Sequence, residues 1–250
     1  MLNRDIYNKA PQENRLVNNG VAEVSEDHSD AAQAILRYEL ETFVCDGQYE
    51  KGIETILDKF LLNLGNKAEQ PGVWISGFYG SGKSHLAKML RTLWTDYAFA
   101  DGATARSIAR LPQDVAAQLK ELSTHGKRQG GLHAAAGKLG SGAGNNVRLA
   151  LLSVIFKSKG LPAQYNQAQL QMWLQREGIL DAVRADLQAE GRTLSKTLPE
   201  MYVSQSLAQS LLKHRPDLAA SQKDLRLILK NQFPEVADIS SDQLVAAIEA

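Results

Sequence analysis

A single cysteine, Cys45, leaves this 250-residue chain without the means to form an internal disulfide. A disulfide scaffold is excluded, and Cys45 is expected to be a buried or bystander thiol rather than a nucleophile. No apolar run approaches the ~20 residues that a membrane-spanning helix needs. The opening Met1-Leu2-Asn3-Arg4-Asp5 has no apolar secretory core, so a cytoplasmic location without membrane association is expected. Aromatics are only 6% of the residues, and they do not interleave with basic ones as in a platform for single-stranded nucleic acid. Net charge is also absent, with 28 basic side chains against 28 acidic ones. What the chain does have is 44% apolar residues, enough for one sizeable core or two small ones.

The neutral balance conceals a polarity along the chain. Residues 1 to 64 hold twelve acidic and six basic side chains. Leu122 to Arg176 contains no Asp or Glu, while Lys127, Arg128, Lys138, Arg148, Lys157, Lys159 and Arg176 all fall there. Such a stretch can meet nucleotide or nucleic-acid phosphates, or an acidic surface including the chain's own front end. Because its basic residues are dispersed, pairing within the protein or between subunits stands beside DNA contact through residues 122–176 as a reading.

The strongest motif is Gly77-Phe78-Tyr79-Gly80-Ser81-Gly82-Lys83-Ser84, entered from Val73-Trp74-Ile75-Ser76 and left through His85-Leu86-Ala87-Lys88-Met89-Leu90. It spells a phosphate-binding P-loop, the alternative being a plain glycine turn before a helix. The β-forming residues before Gly77 predict a buried strand. Leu86, Met89, Leu90 and Leu93 mark one face of a following helix. Glycines at 77, 80 and 82 let successive N–H groups turn inward at the helix N-terminus, which forms an anion cradle. Lys83 is the expected catalytic residue, reaching the β- and γ-phosphates of ATP, and the Ser84 hydroxyl is the expected Mg2+ ligand. His85 completes the cofactor-binding set, with Phe78 and Tyr79 as packing or rim residues.

Hydrolysis requires an acidic element, normally a strand of apolar residues ending in Asp or Asp-Glu. The nearest candidate, Gly178-Ile179-Leu180-Asp181, has two apolar residues before the acid and reads better as a helix start. No sensor or arginine finger can be named. The last residues, Asp242 to Ala250, follow a helical pattern opened by Ser240 or Ser241, and the chain is expected to be the front part of a longer protein.

The remaining pattern divides into an extended N-terminal arm over 1–28, the first part of a P-loop NTPase core over 29–160, and a helical subdomain over 161–250 that is expected to continue. Helices are expected over Ala31–Val44, with Ile35, Leu36, Leu40 and Phe43 as the apolar face, and over Tyr49–Leu64. The second has Ile53, Ile56, Leu57, Phe60, Leu61 and Leu64 at three- and four-residue steps and is expected to pack on the sheet beside the P-loop strand. Ala103–Arg110, Pro112–Leu122 and Val147–Lys159 read as further helices. Gly130 to Gly137 reads as the next strand, with His133 on it, and Gly140 to Gly144 as a loop. The fold class expected is therefore α/β, an AAA-like P-loop NTPase sheet, incomplete in this chain, with a mainly helical C-terminal subdomain.

Several segments besides the P-loop carry a family resemblance: Asn3-Arg4-Asp5-Ile6-Tyr7, Asn18-Asn19-Gly20-Val21-Ala22, Leu36-Arg37-Tyr38-Glu39-Leu40-Glu41-Thr42-Phe43-Val44, Gly47-Gln48-Tyr49-Glu50-Lys51-Gly52 and Ala134-Ala135-Ala136-Gly137. Together they resemble the large P-loop ATPase family of bacterial BREX phage-defence systems, called BrxC, over all 250 residues. The P-loop is shared by many families and identifies nucleotide binding alone. The resemblance implies a cytoplasmic ATPase, longer than this chain, that acts with other BREX proteins in restricting phage DNA and marking host DNA. On this reading the family's acidic magnesium-site motif lies beyond Ala250. A homo-oligomer is expected. A non-catalytic module that mediates oligomerisation or partner binding is the alternative.

Overall fold

The computed structural model describes residues 29–65, 72–137 and 146–250. The expected arm over 1–28 and the glycine loop over 140–144 lie outside the described residues. The chain divides into two compact units, one ending at Ala134 and the other starting at Ala135.

The first unit is built from α1 (Asp30–Glu41), α2 (Gly47–Leu62), α3 (Lys83–Trp94), the short α4 (Ala105–Ile108) and α5 (Gln113–Arg128). Ser29 starts α1, its hydroxyl accepting the Ala32 N–H at 3.3 Å, which satisfies one of the orphan donors of the first turn. The apolar stripes of these helices converge. Leu40 and Phe43, Ile53 and Leu57, Leu86, Met89 and Leu93, and Val115, Leu119 and Leu122 form one buried cluster. Phe60 packs edge-on against Trp94, with ring centroids 4.6 Å apart, a favoured aromatic geometry.

The second unit contains α6 (Val147–Ser158), α7 (Tyr165–Arg176), α8 (Leu180–Ala189), the short α9 (Leu194–Thr197) with a 3-10 turn at Leu198–Glu200, α10 (Gln205–His214), α11 (Gln222–Gln232) and α12 (Ser241–Glu249). Side-chain caps open four of them, at Asn146, Ser204, Ser221 and Ser240. The largest cluster joins Leu170 and Leu174 to Val183, Leu187, Leu198, Leu207, Leu211, Leu225 and Leu229. A smaller one joins Leu152 and Phe156 to Met172, Ile239 and Ala247.

The expected α/β sheet is overturned. Of the described residues 63% are helical, about 1% are in strand-type pairing, and no sheet is present among them. The one antiparallel bridge, Ala98 to Thr104, is isolated. The segment expected as the buried P-loop strand has no regular structure, and Val73 is 51% and Trp74 90% exposed. The segment expected as the next strand, residues 130–137, also has no ladder, although residues 131–137 alternate between exposed and half-buried. The reason is physical. Three β-formers, Val73, Trp74 and Ile75, are a local preference, whereas a strand exists only when a neighbour takes up its backbone N–H and C=O groups. The amphipathic helix expected against that sheet packs instead on α5, whose Val115, Leu119 and Leu122 offer a matching stripe.

Candidate functional site: the phosphate loop

The loop runs from Gly77 through a turn at Tyr79–Gly80 into α3, which begins at Lys83. Gly80 and Gly82 hold φ values of 80° and 77°, in the left-handed region that side chains disfavour. A Cβ at Gly77 would lie 2.7 Å from the Ser81 hydroxyl, so a side chain there would have to displace that hydroxyl. Ser81 N–H donates to the Phe78 carbonyl at 3.2 Å, and Leu86 N–H donates to Gly82 at 2.8 Å as the first helical bond. Among the described residues no backbone carbonyl accepts from the N–H groups of Gly82, Lys83, Ser84 or His85. These are the orphan donors of a helix N-terminus, and they carry the positive end of the helix dipole.

Lys83 lies over the same loop. Its ammonium donates to the carbonyls of Gly77 at 2.9 Å and Phe78 at 2.7 Å, and approaches the Ser81 hydroxyl at 3.4 Å. Lys83 is thus held by weak, exposed carbonyl bonds that a more negative acceptor would outcompete. Ser84 is exposed on the first turn of α3. Phe78 and Tyr79 are almost wholly exposed at the rim, 91% and 101%. The His85 ring packs edge-on near Phe43, with ring centroids 5.7 Å apart. Burial, assisted by Lys88 and opposed by Glu39, holds its pKa below the usual imidazole value.

Three contacts fasten this helix to its surroundings, and none was apparent in the sequence. Tyr49, on the first turn of α2, donates its hydroxyl to the Ser81 carbonyl at 2.6 Å. Lys88 pairs with Glu39 of α1 at 2.6 Å, with their side chains 15% and 2% exposed. Arg106 of α4 closes the far end of α3. Its guanidinium donates to the carbonyls of Leu93 at 2.7 Å, Trp94 at 2.9 Å and Leu119 at 2.8 Å, and to the Ser123 hydroxyl at 2.6 Å. The guanidinium therefore serves as a C-terminal cap, committed to helix carbonyls and the Ser123 hydroxyl. Burial is the main cause that lowers its pKa. For Tyr49, the only sequence signal was its position four residues before Ile53, on the buried stripe of α2.

Three features let the loop receive an anion: the acceptor-free N–H groups, the Lys83 ammonium held on carbonyls of the same loop, and the glycines at 80 and 82 in left-handed conformations. A metal-ligating group of three or more His, Cys, Asp or Glu is not found among the described residues. Asp181, the acid weighed for hydrolysis, sits in the first turn of α8, 94% exposed, paired with Arg184 at 3.2 Å. Cys45 is buried, and desolvation, followed by Glu50, Glu54 and Asp46, pushes its thiol up to about 11. It stays a thiol at neutral pH, which removes it as a nucleophile. In the acid-free stretch, Arg148 is engaged with Asp238 at 3.6 Å and with the Ile239 carbonyl at 3.2 Å. Lys138 lies outside the described residues.

No helix among the described residues is long and apolar enough to cross a membrane. Comparison with protein-family models, with curated proteins and with solved structures finds no match to this chain.

Proposed function

We propose that this chain binds ATP with magnesium through Gly77–Ser84, as part of a cytoplasmic ATP-driven switch or motor subunit of a bacterial BREX phage-defence complex. The observation that carries the nucleotide reading is the run of acceptor-free N–H groups at residues 82 to 85, together with the Lys83 ammonium on the same loop. A polyphosphate supplies the acceptors that these groups lack, at the end of the helix whose dipole favours negative charge. Lys83 exchanges neutral carbonyls for phosphate oxygens, a stronger charge-assisted bond. Ser84 would hold the magnesium ion, which when bound neutralises phosphate charge. The BREX assignment rests on the sequence resemblance, and with it come the other BREX proteins and further copies of this chain as partners.

The test is MgATP binding by calorimetry, with phosphate release read on the same samples. Lys83→Ala is expected to weaken MgATP binding by at least tenfold, the loss of one charge-assisted contact being worth about 1.5–3 kcal/mol. Binding that is indifferent to Lys83 would remove the loop from the account. Phosphate release that disappears with Lys83→Ala would support the ATPase part of the proposal.

A further inference from the structure

Tyr49 and Ser81 are 32 residues apart, and their hydrogen bond is the link between α2 and the phosphate loop. The bond is short, 2.6 Å, and its acceptor is the carbonyl of the peptide unit that joins Ser81 to Gly82. In a trans peptide the C=O and the following N–H point in opposite directions, and the plane between them is rigid. A hydroxyl that holds the Ser81 oxygen therefore fixes the direction of the Gly82 N–H, one of the acceptor-free donors of the cradle.

The same hydroxyl bears on the identity of residue 82. A Cβ built on Gly82 would lie 2.2 Å from the Tyr49 oxygen, and Gly82 has φ of 77°. Both the backbone conformation and the approach of Tyr49 demand glycine. Tyr49 is itself anchored, since its ring packs against the cluster that contains Ile53 and Leu57. The hydroxyl is thus delivered to the loop by a helix with a buried face, rather than by a mobile surface side chain.

We propose that Tyr49 is a positioning residue for the phosphate loop: by holding the Ser81 carbonyl it aims the Gly82 N–H into the anion cradle. The inference rests on the reading of the loop as a nucleotide site. Without the hydroxyl, the 81–82 peptide can rotate, and part of the binding energy is spent in restoring it. Exposure at Ser81 lets water replace the lost donor, so the cost appears in binding rather than in folding.

The experiment compares the full chain with its Tyr49→Phe and Lys83→Ala variants, using MgATP as the probe. Two further readouts are the thermal midpoint without nucleotide and the amide nitrogen resonance of Gly82, which responds to hydrogen bonding at the preceding carbonyl. Tyr49→Phe is expected to weaken MgATP binding about fivefold, the worth of one ordinary hydrogen bond. It is also expected to shift the Gly82 resonance and leave the midpoint close to that of the unaltered chain. Unchanged affinity in Tyr49→Phe, with Lys83-dependent binding intact, overturns the inference and leaves the nucleotide reading standing. A fall in affinity that follows a lowered midpoint, with the Gly82 resonance unmoved, also overturns it, because Tyr49 is then only part of the packing. Absence of MgATP binding by the unaltered chain removes the nucleotide reading and the inference together.

Discussion

The side chain of His85, on the first turn of α3, is partly buried. Its ring faces Phe43, and burial holds its pKa below that of an imidazole in the unfolded chain. The unfolded state therefore takes up a proton at a higher pH than the native state, so stability falls as the pH is lowered through the unfolded value of about 6.5. Thermal midpoints measured between neutral and mildly acidic pH are expected to decline on acidification, with a shallower slope in His85→Phe. An unchanged slope would mean that the imidazole titrates alike in both states. Asp186 has the same sign of pH dependence but in a more acidic window. Hydrogen bonds from Lys213, Ser210 and His214 hold its carboxyl well below the usual carboxylate range, so its contribution survives mild acid. At this scale the sequence was readable where a residue's role is local. The cap at Ser240 and the glycines of the loop were readable from local spacing. Tyr49 and Arg106 were hidden, because their partners lie 12 to 32 residues away and no local pattern marks a hydroxyl or guanidinium that reaches a distant carbonyl.

Helix α3 is held at both ends and along one side. Its N-terminal loop is tied to α2 through Tyr49, its C-terminal carbonyls are closed by Arg106, and its flank is paired with α1 through Lys88 and Glu39. A nearly dry ion pair is sensitive to loss of one member, which strands the other charge. Lys88→Met is expected to lower the unfolding free energy by about 3–5 kcal/mol, and Glu39→Gln in the same chain to restore part of it. Denaturant titration checks this. Additive losses in the double variant would show that the two side chains do not interact. The stripes of α1, α2 and α3 were legible as three- and four-residue spacings, and they contribute to one buried cluster, α1 packing on α4, α2 on α5, and α3 on both. The strand before the loop was not legible in the same way. Val73-Trp74-Ile75 is as β-prone as any short strand, yet Trp74 is 90% exposed, because residue preferences carry no information on whether a pairing partner is at hand.

Across the whole molecule, two units each close their own apolar clusters. The second holds the buried leucines at 170, 174, 187, 198, 207 and 211, a core of the kind that sustains independent folding. A fragment of residues 135–250 is therefore expected to give a helical circular dichroism spectrum and a single cooperative thermal transition. A broad, non-cooperative melt would show that this core depends on the first 134 residues. The chain-scale pattern of charge has a simple use in at least one place, since Arg148 from the acid-free stretch meets Asp238. The central proposal concerns the first unit, where a helix N-terminus with four acceptor-free N–H groups and a lysine resting on carbonyls of the same loop is proposed as a site for a nucleoside triphosphate. The most direct measurement is a calorimetric titration of the full chain and its Lys83→Ala variant with MgATP. The account predicts saturable binding that is weakened at least tenfold by the substitution, as expected for one charge-assisted contact. Equal affinity in both, or no heat of binding in either, would contradict it.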